Sequence, residues 1–256
     1  MASGYDVVVA VGGDGTVYEV INGLMACPEN RPALASLPFG TGNDSASAAG
    51  IHHPSDTFQA LATGKMRSID LIEIRCQTHG APCVRYAMLF ASVGITSDLL
   101  KHTTPRLKRL CGRRLAYIAG LLFALRTYAP GPMKVTCDGV TTQRRLIFAC
   151  ASNGETFGGG IRIAPGARLD DGKLNVNLIE AVGRLEALRH LQRLRQGRHT
   201  DHPKVCYKTA VTLAVETDPP SEVAADGDLI GQTPAVFQLR PQAITLLTPQ
   251  TGAPVQ

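Results

Sequence analysis

Residues 7–24 read VVVAVGGDGTVYEVINGL. Val7-Val8-Val9-Ala10-Val11 is apolar throughout and rich in β-branched residues, as in a strand buried on both faces of a parallel sheet. Beyond the glycines, Val17, Val20, Ile21 and Leu24 fall at i, i+3, i+4 and i+7, which is one face of a helix. Strand, glycine turn and helix in immediate succession predict an α/β unit. Gly12, Gly13 and Gly15 permit close backbone approach, and a helix N-terminus offers free N–H groups to an anion. Asp14 sits in the middle of this turn, where a carboxylate repels phosphate. Either it faces away from the ligand or a cation lies between the two.

The device recurs about 25 residues later. Ala33-Leu34-Ala35-Ser36-Leu37-Pro38 reads as a second short strand, and Phe39-Gly40-Thr41-Gly42-Asn43-Asp44 opens an alanine-rich helix. A lone glycine turn is most simply a tight strand–helix connection. Two of them, each ending a buried strand and each carrying an aspartate, point to a nucleotide–metal site. Asp14 and Asp44 suit Mg²⁺, a hard cation held by one or two carboxylates together with phosphate oxygens. A further short helix is expected from Thr57 to Thr63.

From residue 67 the texture changes. Short β-like segments recur at Ser68–Arg75, Arg85–Val93, Met133–Cys137, Arg145–Ala151, Leu174–Ile179 and Ala210–Val215, separated by Gly, Pro and Asp turns. Helical stretches interrupt them at about 105–127 and 184–197. Such a pattern suggests an antiparallel sandwich or barrel.

The formal net charge of +5 suits an anionic partner without selecting one. With 5% aromatics and no Trp, a base-stacking nucleic-acid surface is not expected. The seven cysteines are scattered without a CxxC pair, and Met1–Asp6 lacks a basic start followed by an apolar core, so a reducing cytoplasm is the expected setting. The longest apolar run, Leu115–Leu125, is about half of the roughly 20 residues a spanning helix needs. The stretch before it, Lys101 to Arg114, carries six Lys/Arg and no acid. A basic segment joined to an apolar helix suits attraction to anionic lipid; a core helix with a solvated basic face is the plain alternative. The histidines, His52 and His53 in a loop and His190, His199 and His202 further on, form no metal-ligand set.

GGDGTVYEVINGL together with PFGTGND resembles the catalytic domain of the diacylglycerol kinase-like lipid kinases, which include sphingosine and ceramide kinases. GGDGT alone is shared with NAD kinases, whose second turn differs. Ser68-Ile69-Asp70-Leu71, the run from Asn153-Gly154-Glu155 through Ala164-Pro165-Gly166-Ala167 to Asp170-Asp171-Gly172-Lys173-Leu174, and Ala225-Asp226-Gly227-Asp228 continue the likeness to the bacterial branch. The resemblance implies ATP- and Mg²⁺-dependent phosphorylation of a lipid hydroxyl, with diacylglycerol the foremost acceptor.

It further implies that Gly12, Gly13, Gly15, Thr16, Gly40, Thr41, Gly42 and Asn43 contact nucleotide and that Asp14, Asp44, Asp70 and Asp228 hold or orient magnesium. Asp226 would be the general base, Asp228 would assist it through the metal, and Asp14 is the second choice of base. Asp170-Asp171-Gly172 reads first as a plain turn between strands, to which the resemblance adds a secondary metal role. Asp228 stands where the family has glutamate. Family members carry a strand–helix–strand–helix portion with an N-P-x-S/A-G turn ahead of GGDGT, whereas here six residues precede the strand.

The expected organisation is an α/β nucleotide-binding domain over 1–66, incomplete at its start, and a mainly antiparallel β-sandwich with inserted helices over 67–239. The tail from about 240 to 256 packs back on the first domain. The expected partner is a lipid presented at the inner face of a membrane, reached by a cytoplasmic protein that associates peripherally, with a homodimer left open. Two alternatives remain: an NAD kinase-like enzyme, or a catalytically weak paralogue that binds lipid or a partner.

Overall fold

The computed structural model describes residues 4–27, 31–103, 105–128, 130–158 and 160–249. The chain begins as the glycine turns predict. Strands β1 (Val7–Gly12) and β2 (Ala33–Pro38) flank helix α1 (Asp14–Met25) and pair in parallel, Val7 beside Ala33 through Gly12 beside Pro38. Helices α2 (Asp44–Ala48) and α3 (Pro54–Thr63) follow. The alanine-rich helix expected after the second turn is thus only five residues long. α1 buries Val17, Tyr18, Ile21 and Leu24; Val20 is half-buried against the same cluster as Val17, Ile21 and Leu24, as expected, and Tyr18 packs into a second cluster. The helix is covered on a second side: Asn22 donates to the Tyr86 carbonyl and accepts from the Tyr86 amide, both at 2.9 Å.

The remaining elements are β3 (Lys65–Thr78), β4 (Ala81–Ala87), β5 (Phe90–Gly94), α4 (Ile95–His102), α5 (Pro105–Thr127), β6 (Gly131–Cys137), β7 (Val140–Ser152), β8 (Leu174–Glu180), α6 (Arg184–Arg195), β9 (Val205–Ala210), β10 (Thr212–Thr217), β11 (Glu222–Ala225) and β12 (Asp228–Thr248). The expected strand Arg85–Val93 is two strands, because the amides of Met88, Leu89 and Phe90 turn onto a side chain, Asp226, instead of a neighbouring strand. The expected strand Ala210–Val215 is a corner between two strands. There the Asp138 carboxylate accepts from the amides of Val211 and Thr212 at 3.1 and 2.8 Å. Helix α4 was not foreseen; Gly94, at φ 113°, turns the chain out of β5 into it. Pro28, the side chains of the basic stretch at 105–111 and 113–114, and residues 250–256 lie outside the described residues.

The twelve strands form one hydrogen-bonded, largely antiparallel network rather than the two separate faces a sandwich implies. β12 pairs β10, β10 pairs β6, β6 pairs β7, β7 pairs β5, β5 pairs β11, and β11 pairs β12 again, so six strands close a ring. The ring closes because β12 is 21 residues long and shifts register between Gln232 and Val236, facing β11 before the shift and β10 after it. Side chains at alternate positions fill the same core, among them Ile72, Ile74, Val135, Leu213, Val215 and Phe237, as the period of a pleated strand requires. The far end of β12 returns to the first unit, where Leu246 pairs in parallel with Leu34 of β2.

One polar tie lies within this network. Glu73 on β3, 5% exposed, accepts from Arg240 Nε at 2.6 Å and Nη2 at 3.0 Å and pairs with Arg75 at 2.7 Å. The forked Arg240 hydrogen bonds hold its carboxyl below the usual glutamate range, so its stabilisation is present above the unfolded pKa and is lost as pH falls through the folded one. Glu73→Gln is expected to lower stability by about 1–2 kcal/mol at neutral pH in urea denaturation. The gap to the unmodified chain should narrow below about pH 4.5.

Candidate active site

The two glycine turns meet backbone to backbone. The Asp14 amide donates to the Gly42 carbonyl at 3.1 Å. A Cβ on Gly13 would stand 2.6 Å from the Gly42 carbonyl oxygen and 3.0 Å from the Gly40 Cα, and one on Gly40 would stand 2.6 Å from the Gly13 amide nitrogen. No side chain fits at either position, which is why both turns carry glycine there. Asn43 closes the second turn on itself: its Oδ1 accepts from the Gly40 amide at 3.2 Å and its Nδ2 donates to the Gly40 carbonyl at 3.1 Å. Its side chain therefore shapes the cradle from within.

The interlock brings Asp14 and Asp44 together. Asp14 Oδ1 accepts from the Ser45 amide at 2.8 Å. Burial raises its carboxyl pKa, the Ser45 amide opposes that, and the charge of Asp44 adds to it. Asp226 and Asp228 arrive from the other half of the chain, on the turn between β11 and β12. Asp226 at φ 45° and Gly227 at φ 101° give this two-residue turn the left-handed backbone that an Asp-Gly hairpin favours. Asp228 Oδ2 stands 3.8 Å from the place a Cβ on Gly15 would occupy, so it lies over the first turn of α1.

Asp226 is 6% exposed and its carboxylate is clasped by backbone. Oδ2 accepts from Met88 N at 2.6 Å, and Oδ1 accepts from Leu89 N at 3.0 Å and Phe90 N at 2.9 Å. Burial pushes its pKa up to about 7, the three amides pulling against the shift and the charge of Asp14 adding to it. Four carboxylates thus converge on one glycine cradle. Among the described residues, no group of three or more His, Cys, Asp or Glu side chains is arranged around a common metal position. A carboxylate pair is nevertheless what magnesium takes when phosphates and water complete its shell, so Asp14 with Asp44 fits that ion.

Asp70 keeps different company. Its Oδ1 accepts from Gln242 N at 2.9 Å and its Oδ2 from Gly172 N at 2.8 Å, which ties β3 to a bend in β12 and to the 170–172 loop. In that loop Asp170 pairs with Arg67 at 2.8 Å, and Asp171 Oδ1 accepts from Lys173 N at 3.1 Å.

Three residues of the site carried no separate role in the sequence reading. Tyr18, 4% exposed, has a buried hydroxyl without a hydrogen-bond partner. Burial raises its pKa, and the nearby charges of Asp226 and Asp228 add to the rise. Asn153 donates to the Asp70 and Met88 carbonyls at 2.8 and 3.1 Å, bracing the loop that clasps Asp226. Phe157 packs against Phe90 in a tilted ring pair with centroids 4.7 Å apart and lines an apolar cavity of about 140 Å³ with Ile95, Leu99, Leu121, Phe148 and Ile163. The Asp226 clasp at Met88–Phe90 and the cavity wall at Ile95 thus lie at the two ends of β5.

Comparison with known proteins bears on both halves. Residues 1–74 match the diacylglycerol kinase catalytic domain, and residues 91–248 match the YegS C-terminal NAD kinase beta sandwich-like domain. A diacylglycerol kinase of Staphylococcus saprophyticus is 32% identical over 249 residues, 96% of this chain and 77% of that protein. The chain belongs to the diacylglycerol kinase family.

A diacylglycerol kinase of Staphylococcus aureus strain JH9 is 31% identical over 241 residues, 93% of this chain and 72% of that protein. A crystal structure from Bacillus anthracis strain Sterne has a TM-score of 0.79 at 25% identity, covering 98% of this chain and 80% of its own. A second from the same strain, described as a diacylglycerol kinase, shares the fold at a TM-score of 0.72 and 22% identity, with coverage of 98% and 79%. As a member of this family the chain is a lipid kinase, and ATP is the substrate the family implies. No described helix is long and apolar enough to cross a membrane.

Proposed function

We propose that this diacylglycerol kinase family member moves the γ-phosphoryl group of ATP onto the free hydroxyl of diacylglycerol, with Mg²⁺ at the Asp14–Asp44 pair. The observation that carries the reading is the interlock of the two glycine turns, which gathers Asp14 and Asp44 beneath the Asp226–Asp228 hairpin. Phosphoryl transfer needs positioning and charge neutralisation more than covalent chemistry. The backbone of Gly12, Gly13, Gly15, Thr16, Gly40, Thr41 and Gly42 forms the phosphate cradle at the head of α1, where free amides favour an anion. Magnesium, when bound there and by Asp228, supplies the positive charge that lets phosphate approach so many carboxylates.

Asp226 takes the hydroxyl proton. A carboxylate has about four lone-pair sites, so three amides leave one for the acceptor. Its pKa near 7 matches a base that works at neutral pH. Asp70 acts by fixing the frame. The apolar cavity behind Phe157 receives the acyl chains, and the exposed Leu115, Leu122 and Phe123 of α5 face the membrane surface from which the lipid is drawn. The protein works as a peripheral enzyme at that surface.

The reading is tested by following transfer of labelled γ-phosphate to dioctanoylglycerol in mixed micelles. Label in the lipid is expected only with Mg²⁺ present, and Asp14→Ala or Asp44→Ala should each cut the rate at least about 100-fold. NADP formation in place of lipid labelling would overturn the assignment.

A further inference from the structure

The hairpin of β3 and β4 sets two cysteines face to face. Its loop, His79-Gly80, has φ 51° and 78°, the left-handed pair of a tight hairpin turn, and Thr78 stands opposite Ala81 at its base. The pair that closes such a loop is hydrogen-bonded, and hydrogen-bonded and open pairs then alternate along the hairpin. Gln77 and Pro82 therefore form an open pair, where the N–H that proline lacks is not needed, and Cys76 and Cys83 form the next hydrogen-bonded one. Cα atoms in such a pair lie about 5.5 Å apart, inside the range of roughly 4.4–6.8 Å that a disulfide spans. Both side chains belong to one apolar cluster, and the two thiols are in hydrogen-bond contact.

The two differ in access. Cys83 is half-buried on β4, which pairs with β3 alone among the described strands, so a small oxidant reaches it. Cys76 is 5% exposed, and burial pushes its thiol pKa up to about 11, which keeps it protonated beside its partner. Its Sγ lies 4.0 Å from the Ile230 carbonyl oxygen and 2.7 Å from where a Cβ on Gly231 would stand. The sulfur thus rests on the first residues of β12, just beyond Asp228. Thr78 Oγ1 donates to the same Ile230 carbonyl at 2.8 Å.

We propose that Cys76 and Cys83 form a peroxide-sensitive dithiol whose closure to a disulfide loosens the start of β12 and slows phosphoryl transfer. Hydrogen peroxide first oxidises the Cys83 sulfur: the O–O bond breaks, Cys83 becomes a sulfenic acid, and one water leaves. The Cys76 sulfur then attacks the sulfenic sulfur. The S–S bond forms, the S–O bond breaks, and the hydroxyl departs with the Cys76 proton as a second water. Bonding to Cys83 draws Cys76 Sγ off Ile230 and Gly231, so the strand behind Asp228 loses a packing partner. A disulfide on an exposed hairpin is readily reduced, which makes the step reversible.

The sequence supplies the test. Trypsin cuts after Arg75 and after Arg85, and the peptide between them, Cys76 to Arg85, holds both thiols and no other cysteine. The full chain is treated with hydrogen peroxide and its remaining thiols are blocked with iodoacetamide. That peptide should then appear unalkylated and lighter than its dithiol form by the two thiol hydrogens. Labelling of dioctanoylglycerol by the same sample should fall about ten-fold and recover with dithiothreitol. Cys83→Ser should label as fast as the untreated chain and keep that rate through peroxide.

An alkylated peptide, a sulfinic acid at Cys83 in place of the disulfide, or a closed disulfide with an unchanged rate would each overturn the proposal. So would an equal loss of rate in peroxide-treated Cys83→Ser. A chain that labels no lipid even when reduced would sink the kinase reading and with it the effect on transfer, while the peptide mass would decide the pairing on its own.

Discussion

Asp226→Asn should lower phosphoryl transfer by about 100- to 10,000-fold, the range associated with losing a general base. It should not be a silent change in the fold. Oδ1 and Oδ2 both accept backbone amides, and an asparagine can present oxygen to only one side of that clasp. With its oxygen towards Leu89 and Phe90, its NH₂ meets the Met88 amide, donor against donor, at a distance now 2.6 Å. A cost of about 1–3 kcal/mol is expected, visible in thermal unfolding.

The pH dependence carries the sign of the shift. With a folded pKa raised to about 7, Asp226 ionises as pH rises through neutrality, so kcat should climb with a midpoint near that value and flatten in the variant. Stability runs the other way. The group's contribution is full below the unfolded carboxyl value of about 3.8 and is lost as pH rises through about 7. A kcat profile already level from pH 5 upward would remove Asp226 from the role of base.

Gly40→Ala is the second large effect. The added methyl would stand 2.6 Å from the Gly13 amide nitrogen and 2.9 Å from the Gly42 carbonyl oxygen, all backbone, so the two turns must part. Overpacking of this kind costs about 1–3 kcal/mol. The larger loss should be in turnover, because a displacement of about 1 Å between reacting groups costs about 100-fold. The added methyl at Gly23, where nothing lies within 4 Å, is the control: Gly23→Ala should leave activity unchanged. An active Gly40→Ala enzyme with wild-type affinity for ATP would show that the turns are not the nucleotide cradle.

Much of this was legible in the chain. The strand–turn–helix units were marked by β-branched runs and by glycines whose need is steric, and the structure supplies the reason at Gly13 and Gly40. Ala225-Asp226-Gly227-Asp228 was legible only as a family motif, and its Asp-Gly turn emerges with the structure. What escaped the sequence is non-local. The Arg85–Val93 run looked like one strand because nothing near it announces that its middle amides belong to Asp226, far along the chain. A sandwich and a closed ring share the same alternation, and only the register shift inside β12 separates them. Tyr18 was hidden by a pattern that counted one apolar face on a helix with two neighbours.

β12 links more than strands. It starts at Asp228 over the head of α1 and ends on β2, the strand that runs straight into the second glycine turn. The two halves of the site are therefore tied through one continuous strand as well as through their direct contacts. One strand thus carries a site residue at its head and, at its tail, braces the strand that leads into the phosphate cradle.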